Sequence, residues 1–149
     1  MPKINFTAKL IGFLILVNST AALAFEDKDV RATVIKLGGV EKFLRMMADS
    51  QSKNLPQQLN SETQLLSMLA TDSTMHLQHQ MVKIQSKKEV DSQFIKNFIK
   101  FQTTKVCTSP VSNILINEFG AKYRYYYLSQ TGENIFTFDV LKKNCLALK

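Results

Sequence analysis

Beyond its first two dozen residues the chain has no apolar run long enough to cross a bilayer, which takes about 20 residues in a helix. It has only two cysteines and two histidines. No C-x-x-C pair occurs, which removes the usual dithiol redox motif. Neither H-E-x-x-H, nor G-x-S-x-G, nor a Gly-rich phosphate loop is present, so no zinc-protease, serine-hydrolase or nucleotide-binding signature can be assigned. No internal repeat, low-complexity tract or basic arm is found. Nucleic acid is therefore not an expected partner, and no cofactor or metal is implied.

The N-terminal segment carries the strongest pattern. Lys3 and Lys9 precede an unbroken apolar run from Leu10 to Val17. The polar Asn18-Ser19-Thr20 ends that run, and Ala22-Leu23-Ala24 follows. Small residues at the −3 and −1 positions suit signal peptidase, so cleavage is expected between Ala24 and Phe25. The run is too short for a membrane anchor. No Cys follows the cut, so a lipid anchor is not expected. Residues 1–24 thus read as a signal peptide and residues 25–149 as a single domain in the periplasm or outside the cell. These first residues hold two of the 19 basic side chains and none of the 12 acidic ones, which leaves +5 for the remainder. Such a charge favours anionic surfaces or acidic glycans without specificity.

Export changes the meaning of the cysteines. Two in an oxidising compartment are expected to form one disulfide, Cys107–Cys145. It would close a 38-residue loop. The loop-entropy relation puts its stabilisation at about 4 kcal/mol.

The remaining patterns are local. Residues 27–50 read as a helix in two pieces, broken at Gly38-Gly39, because each glycine costs about 1 kcal/mol in a helix. Residues 49–59, with Pro56, read as a connector. Residues 62–70 read as a strand and turn into a second at Met75. There Met75, Leu77, His79 and Met81 fall on one face and His76, Gln78 and Gln80 on the other. The clearest helix spans 89–106, with Val90, Phe94, Ile95, Phe98 and Phe101 on its apolar face. Ser109-Pro110 stops it, and a short helix from Val111 to Phe119 ends at Gly120. A final hairpin pairs 121–129 with 134–142 around Gly132. In its second strand Phe136, Phe138 and Val140 share one face, and Ile135, Thr137 and Asp139 the other. The order helix, hairpin, helix, hairpin predicts an α+β fold, with helices packed on an antiparallel sheet.

This arrangement resembles a group of small exported proteins of Gram-negative bacteria with a cystatin-like (cystatin/NTF2-like) fold, among them the quorum-sensing-regulated virulence factors. The residues that carry the likeness are Leu55-Pro56 after a helix, Glu62-Thr63 opening a strand and Cys107 after an amphipathic helix. Gly120 before a Tyr-rich strand, Gly132 in the turn and the closing Cys145 complete it, over about residues 43–145. The resemblance implies a fold and an exported, virulence-linked setting, and no chemistry. The Lys, Asn, Gln and Ile bias is also similar to that of Legionella proteins that leave the cell by type II secretion.

Two surface features remain as candidates. Tyr123, Tyr125 and Tyr127 align on one face of a strand, with Lys122, Arg124 and Tyr126 on the other. An exposed aromatic ladder would make a protein or carbohydrate contact surface; packed against Phe94 and Phe98, the same rings would be core. Lys96 and Lys100, with Lys87, Lys88 and Lys105, read as a solvated helix face, or else as a basic stripe for an anionic surface. His76 and His79 point to opposite sides of a strand, so one metal cannot take both. Glu26, Asp27 and Asp29 read as solvated carboxylates near the new N-terminus. The leading functional expectation is an exported, non-enzymatic binding protein, virulence-associated and contacting a host or envelope partner. The alternatives are a periplasmic accessory or inhibitor protein that binds through its sheet edge, and a hydrolase with an unrecognised site.

Overall fold

The computed structural model describes residues 27–148. The expected signal peptide and its cleavage point lie outside these residues. Helix α1 (Asp27–Leu37) buries Val30 and Val34, one turn apart on a single stripe. It stops at Gly38-Gly39, where φ is +83° and +130°. Only glycine adopts such angles without strain, which fixes the break at the place the sequence suggests. Helix α2 (Val40–Ser52) then buries Phe43, Leu44 and Ala48. Each fully buried Leu or Phe contributes about 1.5–3 kcal/mol.

Five strands form one sheet in the order β1-β2-β3-β4-β5: Gln57–Gln58, Thr63–Thr71, Thr74–Met81, Lys122–Leu128 and Asn134–Val140. The two-residue β1 lies inside the expected connector, after a cis Leu55–Pro56 peptide. β2 and β3 form a hairpin around Asp72-Ser73, and β4 and β5 form another. Between them, helix α3 (Ser92–Thr108) starts at Asp91, whose carboxylate accepts the Phe94 backbone N–H at 2.7 Å. A capped 3-10 turn at Lys87–Glu89 replaces its expected first turn. Helix α4 (Pro110–Asn117) opens on a proline, where the missing N–H costs nothing. Helix α5 (Lys142–Leu146) closes the chain, where the sequence suggested only the end of a strand.

The α+β class, with helices on one sheet and one disulfide, is as the sequence indicates. The strand directions differ from expectation in one place. Both hairpins and the β1–β2 pair are antiparallel, but β3 and β4 run parallel, so the sheet is mixed and not wholly antiparallel. The cause is the crossover through α3 and α4, which returns the chain to the end of the sheet where β3 began.

The core lies between the sheet and its helices. The most completely buried side chains are Val30, Val34, Phe43, Leu44, Met75, Leu115, Ile116, Tyr127, Ile135 and Val140, joined by Ser129. Ile135 is a second difference, since period two places it with exposed Thr137. A bulge opposite Tyr127/Leu128 leaves it without a cross-strand partner and turns it inward. Cys107 at the end of α3 is bonded to Cys145 in α5, with Cα atoms 5.1 Å apart.

Candidate functional site

Strand β4 presents two unlike faces, and they settle which of its residues can meet a partner. Tyr123, Tyr125 and Tyr127 are all buried, at 7%, 5% and 2% exposure. The exposed-ladder expectation is therefore corrected: these rings are core. Tyr127 stacks on Phe136 with centroids 4.9 Å apart and takes the edge of Phe98, also at 4.9 Å. Tyr125 stacks on Phe138 at 5.0 Å. The physical reason is that α3 lies over this side of the sheet, and its phenylalanines need flat apolar partners. Burial raises the pKa of all three phenols above that of a free tyrosine.

His79 sits in this layer from the neighbouring strand. Its ring stacks on Tyr127 at 4.8 Å and on Tyr125 at 5.8 Å. It is 5% exposed, and its Nδ1 has no hydrogen-bond partner. Desolvation pushes its pKa down to about 4, against a weaker opposing hydrogen bond with the Leu77 backbone. His79 is thus a neutral ring in the core. His76 points the other way, and among the described residues no cluster of three His, Cys, Asp or Glu side chains could hold a metal.

The opposite face of the sheet is polar and ordered. Every described helix packs on the tyrosine side, because that is the parity of the buried strand residues. Lys122, Arg124 and Tyr126 therefore project from β4 onto a bare face. Parallel pairing sets His76 beside Arg124, and Gln78 beside Tyr126. His76 is held at both nitrogens, by Thr71 Oγ1 at 2.8 Å and by the Tyr126 hydroxyl at 3.1 Å. Arg124 donates two hydrogen bonds to Asp139, at 2.7 and 2.8 Å. Lys122 adds an ion pair to the same carboxylate at 3.1 Å. These bonds lower the Asp139 pKa to about 2. Burial, then the charges of Arg124 and Lys122, lower that of His76. Ser67 donates to Gln78 at 2.9 Å, a separate contact between β2 and β3 on the same face. Leu69, 48% exposed, is paired with His76 and lies on the same face.

This network was not legible beforehand. Its polar residues alternate in the sequence, but only the β3–β4 pairing brings His76 to Tyr126. The side chains are fixed before any partner arrives, so they present hydrogen-bonding groups at little cost in rotamer freedom.

Lys96 and Lys100 are exposed on α3 and belong to neither layer. Phe98, on the opposite side of that helix, packs on Tyr127, so the two lysines point away from the sheet. Lys105 instead lies over the Phe101 ring, 4.7 Å from its centroid. Lys87 and Lys88 sit in the 3-10 turn. The structure thus brings the three tyrosines together, and separates them from the lysines.

No family model and no curated protein matches this chain in sequence. Solved structures do match its fold. One is a candidate secreted protein from Pseudomonas aeruginosa, with a TM-score of 0.59 and 16% identity over 75% of this chain and 95% of that one. A second is EpsS, the pilotin of the Vibrio vulnificus type 2 secretion system, with a TM-score of 0.59 and 13% identity over 77% and 96%. A third is AspS, the type II secretion system pilotin of Vibrio cholerae, with a TM-score of 0.56 and 16% identity over 77% and 97%. This protein shares the fold of these small secreted and secretion-system proteins.

Proposed function

We propose that this protein is a non-enzymatic accessory protein of an envelope secretion system. It acts in the periplasm or beyond after cleavage behind Ala24, and it binds a protein partner across the bare face of its sheet. The observation that carries the reading is that face. One side of a five-stranded sheet is left without a helix among the described residues, yet its side chains are held in two neighbouring bonded groups, Thr71–His76–Tyr126 and Arg124–Asp139–Lys122. The fold likeness to two pilotins of type 2 secretion systems supports the secretion-related setting. The host-facing reading drew one of its supports from an exposed tyrosine ladder, and those rings are buried. Neither a cystatin-like ancestry nor a Legionella-type origin is needed for the accessory role.

A photo-crosslinking amino acid placed at Tyr126 in the exporting cell tests this reading. The expected product is an adduct with a component of the envelope secretion machinery, formed by protein that ends up shortened by the signal peptide. Adducts from position 126 that contain no such component, or an uncut protein retained in the cytoplasm, would refute it.

A further inference from the structure

The bare sheet face leaves the lysines of α3 unexplained, and α5 adds to them. On a helix turning 100° per residue, Lys96, Lys100 and Cys107 fall within about 40° of one another. They form one stripe, with Lys100 about 10 Å from the cysteine. The disulfide seats Cys145 against the end of that stripe, Cα atoms 5.1 Å apart. Lys142 and Lys143 precede Cys145 within one turn and are exposed. The bridge thus brings the exposed Lys142 and Lys143 of α5 to the end of the α3 stripe that carries Lys96 and Lys100. None of the four takes part in an ion pair among the described residues. Acidic side chains are missing as well: no Asp or Glu occurs between Asp91 and Glu118, and none after Asp139.

Apolar side chains accompany this charge. Only four large hydrophobic residues are strongly exposed among the described residues, and two of them, Leu146 (51%) and Leu148 (45%), lie at the end of α5 and just beyond it. Free phosphate or another soluble polyanion would use the lysines and ignore the leucines. A lipid bilayer uses both, since acyl chains take the leucines while headgroup phosphates meet the ammonium groups.

We propose that this patch docks the protein on an anionic phospholipid surface. Docked in this way, the helical side faces the membrane and the His76–Tyr126 face of the sheet points away from it. The two surfaces do not compete. The inference is independent of the partner proposed above, because it concerns the purified chain and lipid alone.

Co-sedimentation with phosphatidylethanolamine vesicles, with and without phosphatidylglycerol, tests it. The expected result is binding that requires phosphatidylglycerol and weakens as salt is raised. Each lysine near an anionic surface contributes about a fivefold factor in affinity. The pairs K96Q/K100Q and K142Q/K143Q should therefore each weaken binding by roughly 25-fold. K42Q/K53Q, on the exposed lysines of α2 and its C-cap, should leave it within about twofold, the scatter of a remote charge change. L146S/L148S should also weaken vesicle binding while leaving binding to inorganic polyphosphate unchanged. All these side chains are exposed, and unaltered circular dichroism would show that the variants fold. Equal binding to both vesicle types, or equal losses from the α2 control, would overturn the proposal. So would leucine-independent binding that soluble polyphosphate matches.

Discussion

The buried histidine gives the most direct test of the core. Unfolded, His79 takes up a proton below its ordinary pKa of 6.5; folded, it resists protonation until about 4. Between these values the unfolded state holds the extra proton, so stability falls as pH falls. The loss begins near pH 6.5, is complete near pH 4, and amounts to about 3 kcal/mol at 1.36 kcal/mol per pH unit. This value follows from the site: a 5%-exposed ring between Tyr125 and Tyr127, with Nδ1 unpartnered, has only the Leu77 backbone to set against the loss of solvation of an imidazolium. His79→Phe keeps a flat ring in the stack and removes the titration. Urea unfolding of both proteins between pH 4 and 7.5 would give two stability profiles. Their difference should change by about 3 kcal/mol across the window, since the other titrating groups are common to both. Any repacking cost of the larger ring is a constant offset. Parallel profiles, or an imidazole resonance titrating near pH 6.5 in the folded protein, would refute the reasoning.

Reduction of the Cys107–Cys145 bridge should lower unfolding free energy by up to about 4 kcal/mol, read from urea midpoints with and without a reductant; no change would mean the reduced chain holds the loop ends together anyway. Tyr127→Ala should cost about 3–5 kcal/mol, as removal of a fully buried aromatic does, whereas a surface tyrosine would lose under 0.5 kcal/mol. Asp139→Asn should remove only about 1 kcal/mol at neutral pH, because its ion pairs are partly solvated. The folded pKa of Asp139 is depressed from 3.8 to about 2, so the gap between wild type and this variant should close as pH falls through that range.

What could be read in advance was set by local periodicity. The alternation from Met75 to Met81 located β3 and its buried face, including the inward side of His79. Gly38-Gly39 located the break between α1 and α2, and the cysteine pair located the bridge. What escaped was either short or non-local. Two residues of β1 and five of α5 are too few to show a period. Strand direction is not a local property: nothing in residues 74–81 or 122–128 states which strand lies beside which. The His76–Tyr126 contact follows from the strand pairing and had no signature along the chain. The lysine patch was legible in its Lys96–Lys100 half, to which the unforeseen α5 adds Lys142 and Lys143.

The parallel ladder between β3 and β4 also bears on how the chain assembles. Residues 27–81 make two helices and a hairpin from sequence neighbours; residues 92–148 make helices, a hairpin and the whole disulfide loop in the same way. The halves meet across seven backbone pairs from Thr74 to Gln80 and through α1 against α4, where Arg31 and Glu118 pair at 2.5 Å. Each half can condense locally, while the ladder also has to close the crossover through α3 and α4, so it is expected to form after the two hairpins. A chain nicked by protease within residues 85–89 is therefore expected to remain one particle in native buffer and to part into two fragments in urea. The same division makes the protein a candidate for reconstitution from separately produced halves, with only the second needing an oxidising environment to mature.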